Sequence, residues 1–122
     1  MKTLKVGILG AGEIAKSFHL PAWQKISQVK LSAICDIDLK KAKFLAKVYN
    51  CQFYSSLSEM VKNEKLDILD ICTPNTMHYE HIKQSLKAGL HTIVEKPFVS
   101  TEKQAQEIIK LSNKKRKKLM CA

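Results

Sequence analysis

The feature of the sequence that most constrains its fold is a glycine-rich segment, Gly10-Ala11-Gly12-Glu13-Ile14-Ala15, which directly follows the apolar run 4–9. The run predicts a buried strand, and the GxGxxA spacing predicts a tight turn from that strand into a helix. In such a turn Gly10 permits the sharp change of direction, Gly12 lets the backbone approach a pyrophosphate, and Ala15 lets the helix pack closely on the strand. The start of the helix offers unpaired N–H groups to the phosphates. We therefore predict a dinucleotide-binding turn, and a tight βα turn without a ligand is the alternative.

Short apolar runs alternate with longer amphipathic stretches along all 122 residues. The runs predict strands, and the amphipathic stretches predict helices. Strands that alternate with helices imply right-handed crossovers and a mainly parallel sheet. We predict an α/β protein with a three-layer Rossmann fold, whose doubly wound sheet has about six strands in one domain. The predicted strands are 4–9, 30–35, 52–54, 66–72, 90–94 and 119–121. The first predicted helix is 13–26, with a kink or break at Pro21, and it is followed by helices at 39–49 and 76–87. Between these two, a short helix is capped by Ser56, and a last helix is capped by Ser100 or Thr101 and ends near Lys115.

An acidic residue, Asp36, ends the second predicted strand. It stands roughly twenty residues after the glycine turn, where an acid can accept hydrogen bonds from the ribose hydroxyls of an adenosine. Its carboxylate, with that of Asp38, would repel a 2′-phosphate, which favours NAD over NADP. Lys40 and Lys41 follow closely and leave NADP possible. The alternative for Asp36 is a cap at the start of the next helix, and the two roles are compatible.

Polar residues follow the fourth predicted strand, in the segment Thr73-Pro74-Asn75. The carboxyl ends of parallel strands form the ligand-binding edge of such a sheet, so we expect this segment beside the cofactor. His78 opens the next helix and is predicted to line the same site, with a surface or capping histidine as the alternative. The other three histidines, His19, His81 and His91, are interpreted as structural or exposed.

The fifth predicted strand ends in Glu95-Lys96-Pro97, two opposite charges and a proline at the same edge of the sheet. A charged pair there would face the nicotinamide end of a bound dinucleotide. The ammonium of Lys96 could donate to a substrate hydroxyl or carbonyl and stabilise negative charge on oxygen. Glu95 could orient Lys96, and Pro97 would stiffen the exit of the strand. The alternative is an exposed ion pair in a loop.

The chain is basic, with a formal net charge of +10, and its densest basic run is 114–118. We interpret this run as a solvated helix end, because cations suit the carboxyl end of a helix. A nucleic-acid partner is disfavoured, since the run has a single arginine and no aromatic neighbour for base contacts.

The four cysteines show no CxxC spacing, so no metal site is predicted. No apolar segment is long enough to span a membrane, and we expect a cytoplasmic protein without a membrane partner.

Taken together, the motifs resemble the N-terminal domain of the Gfo/Idh/MocA oxidoreductases. The resemblance rests on 6–12, Cys35-Asp36, Thr73-Pro74-Asn75 with His78, Ala88-Gly89 and Glu95-Lys96-Pro97, and it extends over nearly the whole chain. It implies an enzyme that binds NAD or NADP and oxidises or reduces a hydroxyl or carbonyl carbon of a sugar, a cyclitol or a related compound. It also implies roles for individual residues. The pyrophosphate would lie on Gly10, Ala11, Gly12, Glu13 and Ile14, and the adenosine ribose would bind to Asp36. The cofactor would be lined by Thr73, Pro74, Asn75, His78 and Glu95, and Lys96 would contact the substrate and the nicotinamide ribose.

Members of this family carry a second α/β domain that supplies most substrate contacts and a further acid or base. No counterpart of that domain occurs in these 122 residues, so we expect 1–122 to be the dinucleotide-binding domain without it. We expect this chain alone to bind NAD(H) weakly and to turn over little or no substrate. The ligand edge that the second domain covers in relatives would be exposed, which could favour a homo-oligomer.

A regulatory module that binds NAD without chemistry is the alternative function. Replacing Lys96 by alanine in a two-domain version would separate the two, because only an oxidoreductase has turnover to lose.

Overall fold

The computed structural model describes residues 2–122 as a sheet of six strands with helices on both faces. The strands are β1 Leu4–Leu9, β2 Val29–Cys35, β3 Gln52–Tyr54, β4 Ile68–Ile71, β5 His91–Val94 and β6 Leu119–Cys121. The α-helices are α1 Leu20–Gln24, α2 Leu39–Tyr49, α3 Leu57–Asn63, α4 His78–Lys87 and α5 Glu102–Lys115, with a π-helical turn at Ala15–His19 and a 3₁₀ turn at Asn75–Met77.

All neighbouring strands pair in parallel, in the order β3-β2-β1-β4-β5-β6. The order reverses between β1 and β4, which is the switch point where doubly wound sheets bind their ligands. Every strand therefore ends at the same edge, and the predicted Rossmann fold is confirmed.

Two clusters of buried apolar residues lie on opposite faces of the sheet. Successive residues of a strand point to opposite faces, so Ile8 and Leu9 of β1 belong to different clusters. Ile34 and Cys35 of β2 are divided in the same way. Both faces are buried, which explains why the strands read as continuous apolar runs.

The helix after the glycine turn continues through Pro21 instead of breaking there. The N–H of Leu20 donates to the carbonyl of Ala15, five residues back, which widens the turn that precedes the proline. A proline lacks an N–H, and its ring crowds the carbonyl four residues earlier, so a widened turn accommodates it. The helix is thus distorted but not broken near Pro21, and the distortion lies in the turn that carries His19.

Helix caps and the basic run agree with the sequence patterns. Ser56 and Thr101 accept hydrogen bonds from the N–H groups of Glu59 and Gln104. Helix α5 ends at Lys115, and Arg116 adopts the left-handed conformation with φ of 54°. The run 114–118 is thus a helix end with its lysines mostly exposed, as predicted.

Strand β4 is shorter than the predicted 66–72. Leu66 is buried but precedes the strand, and its side chain packs on Gly7. An apolar residue that fills the core from a loop looks like a strand residue in the sequence.

Among residues 2–122, no helix combines the length and the apolar character that a membrane crossing requires.

Candidate functional site

The glycine turn passes very close to the end of β4. Gly10 has φ of 103°, and its N–H donates to the carbonyl of Cys35 at 2.7 Å. A Cβ atom at Gly10 would lie 2.7 Å from the backbone oxygen of Cys72, so no larger residue fits. At Gly12, in contrast, a Cβ atom would meet nothing within 4 Å. The turn is closed toward the protein at Gly10 and open toward solvent at Gly12.

Asp36 is tied to the glycine turn by its side chain. One carboxylate oxygen accepts the N–H of Ala11 at 2.7 Å, and the other accepts the N–H of Asp38 at 2.8 Å. The cap of α2 is Asp38, which accepts the N–H of Lys40 at 3.1 Å. The capping alternative for Asp36 is therefore wrong. Each carboxylate oxygen has two lone pairs, so Asp36 can still accept a ligand hydroxyl.

A groove of about 600 Å³ runs along the carboxyl ends of β1, β2 and β4. Five of the predicted site residues line it: Gly10, Gly12, Asp36, Thr73 and Pro74. Its remaining walls come from Leu9, Cys35, Ile37, Asp38, Lys41, Ser55, Leu57, Cys72, Met77 and His81.

The other predicted site residues lie outside this groove. Ala11 and Glu13 line an adjacent depression of about 250 Å³ with Lys16 and Lys41. Ile14 and Asn75 are exposed. Glu95 and Lys96 follow β5, at the same edge as the groove but beyond its lining.

Two histidines hold the segment after β4. The hydroxyl of Thr73 lies 2.8 Å from Nδ1 of His81, whose pKa is lowered mainly by burial and further by His78. His78 is fully buried, with its ring nitrogens 2.9 Å from the carbonyl of Thr73 and 2.7 Å from that of Pro97. The ring joins the two loops behind the groove, so the surface alternative for His78 is wrong.

Sequence reasoning missed a cluster around His19. Its Nδ1 lies 2.7 Å from a carboxylate oxygen of Asp70, and its Nε2 lies 2.6 Å from one of Glu95. The indole of Trp23 donates to Asp70 at 2.7 Å. These contacts, with the hydrogen bond to Asp70 as the largest cause, raise the pKa of His19 to about 9.

The same cluster changes the interpretation of Glu95. Its carboxylate bonds to His19, and among residues 2–122 no ion pair joins it to Lys96, which is exposed. The expected contact by which Glu95 would orient Lys96 is therefore not formed. A signal was present in the sequence: Asp70 is an acid inside an apolar strand, and His19 and Trp23 are four residues apart, which puts them on one helical face.

His19, Asp70 and Cys72 also place one imidazole, one carboxylate and one thiol within 4.8 Å of one another. Both ring nitrogens of His19 already bond to carboxylates, and burial raises the pKa of the Cys72 thiol above its ordinary range. A metal ion needs a free ring nitrogen and a thiolate. The geometry therefore suits a shared proton better than a metal.

Replacing His19 by glutamine is expected to remove a pH-dependent part of the free energy of unfolding. The folded-state pKa of His19 is raised from 6.5 to about 9, so its contribution is complete below pH 6.5 and is lost as the pH rises through about 9. The free-energy difference between the wild type and His19→Gln should be on the order of 2 kcal/mol at pH 6 and should shrink by pH 10. Urea unfolding at a series of pH values measures it, and a difference that grows with pH would contradict the assignment.

The turn, the anchored acid and the groove at the switch point define a dinucleotide-binding Rossmann domain. Residues 4–122 match the Gfo/Idh/MocA oxidoreductase family model with an NAD-binding Rossmann fold. The chain belongs to this family, which confirms the resemblance and the NAD-type cofactor.

Similar proteins include dehydrogenases of sugars and cyclitols. D-glucoside 3-dehydrogenase of Escherichia coli K12 is 36% identical over 112 residues, which are 91% of this chain and 32% of that protein. The scyllo-inositol 2-dehydrogenase (NADP(+)) IolW of Bacillus subtilis is 26% identical and covers 93% of this chain and 31% of its own length. The WlbA dehydrogenase of Bordetella pertussis, crystallised with NADH and UDP-GlcNAcA, has a TM-score of 0.92 at 25% identity and covers 100% of this chain and 37% of its own. The chain thus spans about a third of the length of these relatives.

Proposed function

We propose that the groove binds NAD(H) and that residues 1–122 form the dinucleotide-binding domain of an oxidoreductase acting on a sugar, a cyclitol or a related hydroxyl or carbonyl compound. One observation carries the proposal: the hydrogen bond of 2.7 Å from the N–H of Ala11 to Asp36. It holds the pyrophosphate turn and the ribose-binding acid at a fixed separation beside the open side of Gly12. Such a preformed pair lowers the cost of ordering the site when the dinucleotide binds.

The charges at the adenosine end support NADH over NADPH. The carboxylates of Asp36 and Asp38 line the groove where a 2′-phosphate would lie, and they would repel it. Lys41 lines the same wall and offsets part of this repulsion. We therefore propose a preference for NAD(H) and not an absolute selection.

Lys96 is proposed as the catalytic residue at the other end of the site. A bound NAD(H) would supply the hydride acceptor or donor for the substrate carbon. The exposed ammonium of Lys96 would donate to the substrate oxygen and stabilise its developing charge. The roles given to Ala11, Glu13, Ile14, Asn75, His78 and Glu95 stay predictions.

The substrate contacts would come from outside residues 1–122, since the chain spans about a third of its relatives. Relatives named for sugar and cyclitol dehydrogenation support that substrate class. A cytoplasmic location, a homo-oligomer and the absence of a nucleic-acid partner stay predictions from the sequence.

Calorimetric titration of the 122-residue chain with NADH and NADPH tests the proposal. We expect weak binding of NADH and about tenfold weaker binding of NADPH, because the 2′-phosphate brings about two more negative charges near two carboxylates. Asp36→Asn should reduce this preference. No heat and no thermal shift with either nucleotide would contradict the proposal.

Asp67→Asn is a matched control for that substitution. Asp67 also accepts a backbone N–H, that of Lys5 at 2.8 Å, but it lies at the opposite edge of the sheet, before β4. Its replacement should leave the nucleotide preference unchanged. A similar loss of preference in both variants would show that Asp36 does not select the nucleotide through direct contact.

A further inference from the structure

The Glu95-Lys96-Pro97 turn is held from both sides by histidines of other elements. On one side, Nε2 of His19 lies 2.6 Å from the Glu95 carboxylate. On the other side, Nδ1 of His78 lies 2.7 Å from the Pro97 carbonyl. Lys96 stands between these two attachments with its side chain exposed. The position of its backbone therefore depends on the groups that hold its two neighbours, Glu95 and Pro97.

His19 connects three elements at the ligand edge. It lies in the π-helical turn that follows the glycine turn, and it reaches Asp70 in β4 and Glu95 after β5. A neutral imidazole has one N–H, so only the protonated ring donates to both carboxylates at once. The contact between the glycine-turn helix and the Lys96 turn thus depends on one proton.

We propose that His19 is a positioning residue for Lys96: its protonated ring holds Glu95, and loss of the second ring proton frees Glu95 and loosens the turn that carries Lys96. The inference rests on the proposed function insofar as Lys96 is placed at the nicotinamide end of the dinucleotide. It assigns a role to His19 that the sequence patterns did not suggest.

Burial decides which of the two hydrogen bonds breaks. The Asp70 side chain is 1% exposed, and the Glu95 side chain is 20% exposed. An unpartnered carboxylate costs more free energy when it is buried, so the remaining ring proton stays with Asp70. Asp70 also keeps the indole of Trp23 as a donor. Glu95 is therefore the group that is released toward water.

The charged and titratable groups around this cluster set the direction of the pH effect. Asp70 and Glu95 face the ring directly and keep its proton, so the pKa of His19 is raised to about 9. Cys72 borders Asp70, and Cys121 of β6 borders Glu95, and both thiols have a raised pKa and stay neutral at pH 7. Deprotonation of His19 above pH 9 leaves the two carboxylates with one fewer positive charge beside them.

The test follows carbon-bound protons by ¹H–¹³C NMR in the 122-residue chain from pH 6.5 to 10.5, because amide protons exchange too fast at the alkaline end. In the wild type, the Glu95 side-chain and Pro97 ring signals should shift together with the His19 ring, with a midpoint near pH 9. In His19→Gln they should not shift at that midpoint. The same shift in His19→Gln, or no shift of Glu95 and Pro97 in the wild type, would overturn the proposal.

Two further variants keep the test decisive. His91→Gln is the matched control, because His91 contacts the Lys118 N–H at the opposite edge of the sheet and its pKa is lowered. It should preserve the transition of Glu95 and Pro97. Glu95→Gln covers the case in which His19→Gln does not fold: Pro97 should then no longer follow the ionisation of His19. A Pro97 signal that still follows it would count against the role of Glu95.

Binding of NADH provides the functional reading. Wild-type affinity should fall about fivefold between pH 7 and pH 10, within the usual range of coupling between sites, and His19→Gln should bind at the weaker level at both pH values. Equal wild-type and His19→Gln affinities at pH 7 would reduce His19 to a structural residue. If the wild type binds no NADH at pH 7, the proposed function fails. The ¹H–¹³C signals of Glu95 and Pro97 then still test whether His19 is coupled to the turn that carries Lys96.

Discussion

Replacing Gly12 by valine is expected to abolish measurable NADH binding while leaving the fold intact. A Cβ atom at Gly12 meets nothing within 4 Å, so the free protein has room for a larger residue. The same space is where the pyrophosphate would approach the backbone N–H groups. Loss of two charge-assisted hydrogen bonds there costs about 3–6 kcal/mol, or about 10²- to 10⁴-fold in affinity.

Calorimetric titration with NADH measures the loss of affinity, and thermal unfolding without ligand measures whether the fold stays intact. The Tm of Gly12→Val should stay within a few degrees of the wild type, as for an exposed substitution of about 0.5 kcal/mol. Ala88→Val is the control, since Ala88 is exposed at the end of α4, away from the groove. Retained affinity in Gly12→Val would place the pyrophosphate elsewhere.

Replacing Gly10 by alanine is expected to destabilise the whole protein by about 3–5 kcal/mol. The backbone at Gly10 has φ of 103°, a conformation that costs an L-residue about 1–3 kcal/mol. The added Cβ would also lie 2.7 Å from the backbone oxygen of Cys72, which cannot move without disturbing β4. Forced packing of this kind costs about another 1–3 kcal/mol.

Urea unfolding of Gly10→Ala measures this loss. A domain of this size has a total stability of about 5–15 kcal/mol, so a large fraction would disappear. Gly12→Ala, with the same atoms added two residues further on, is the matched control and should unfold nearly like the wild type. Similar midpoints for the two variants would show that the turn can relax around Gly10.

The strands and most helix limits could be predicted from the sequence because they depend on local patterns. The bounds of β1, β3, β6 and α2 agree with the apolar periodicity residue for residue. Strand β4 is shorter than predicted, because Leu66 lies outside the strand and is buried by its packing contact with Gly7. Such a contact depends on a partner almost sixty residues away along the chain, which a local pattern does not contain.

The site shows the same division between local and distant information. The groove walls at Gly10, Gly12, Asp36, Thr73 and Pro74 were predictable, because each follows a strand and parallel strands end at one edge. The partner of Glu95 was not predictable from its neighbour Lys96. His19 takes that place, from a position distant in sequence, because the sheet order puts β4 and β5 beside the helix that follows β1.

Local sequence patterns specify the alternation of strands and helices, the glycine turn and the acid that follows β2. These features follow from side-chain periodicity and from the backbone freedom of glycine, both of which are properties of short segments. Long-range packing, in contrast, sets which glycine is closed by the end of β4 and which is open to solvent. It also places the two ring nitrogens of His19 between the carboxylates of Asp70 and Glu95. Steric contact and hydrogen bonding act between residues that are near in space, and it is the packing of the sheet that brings these residues together.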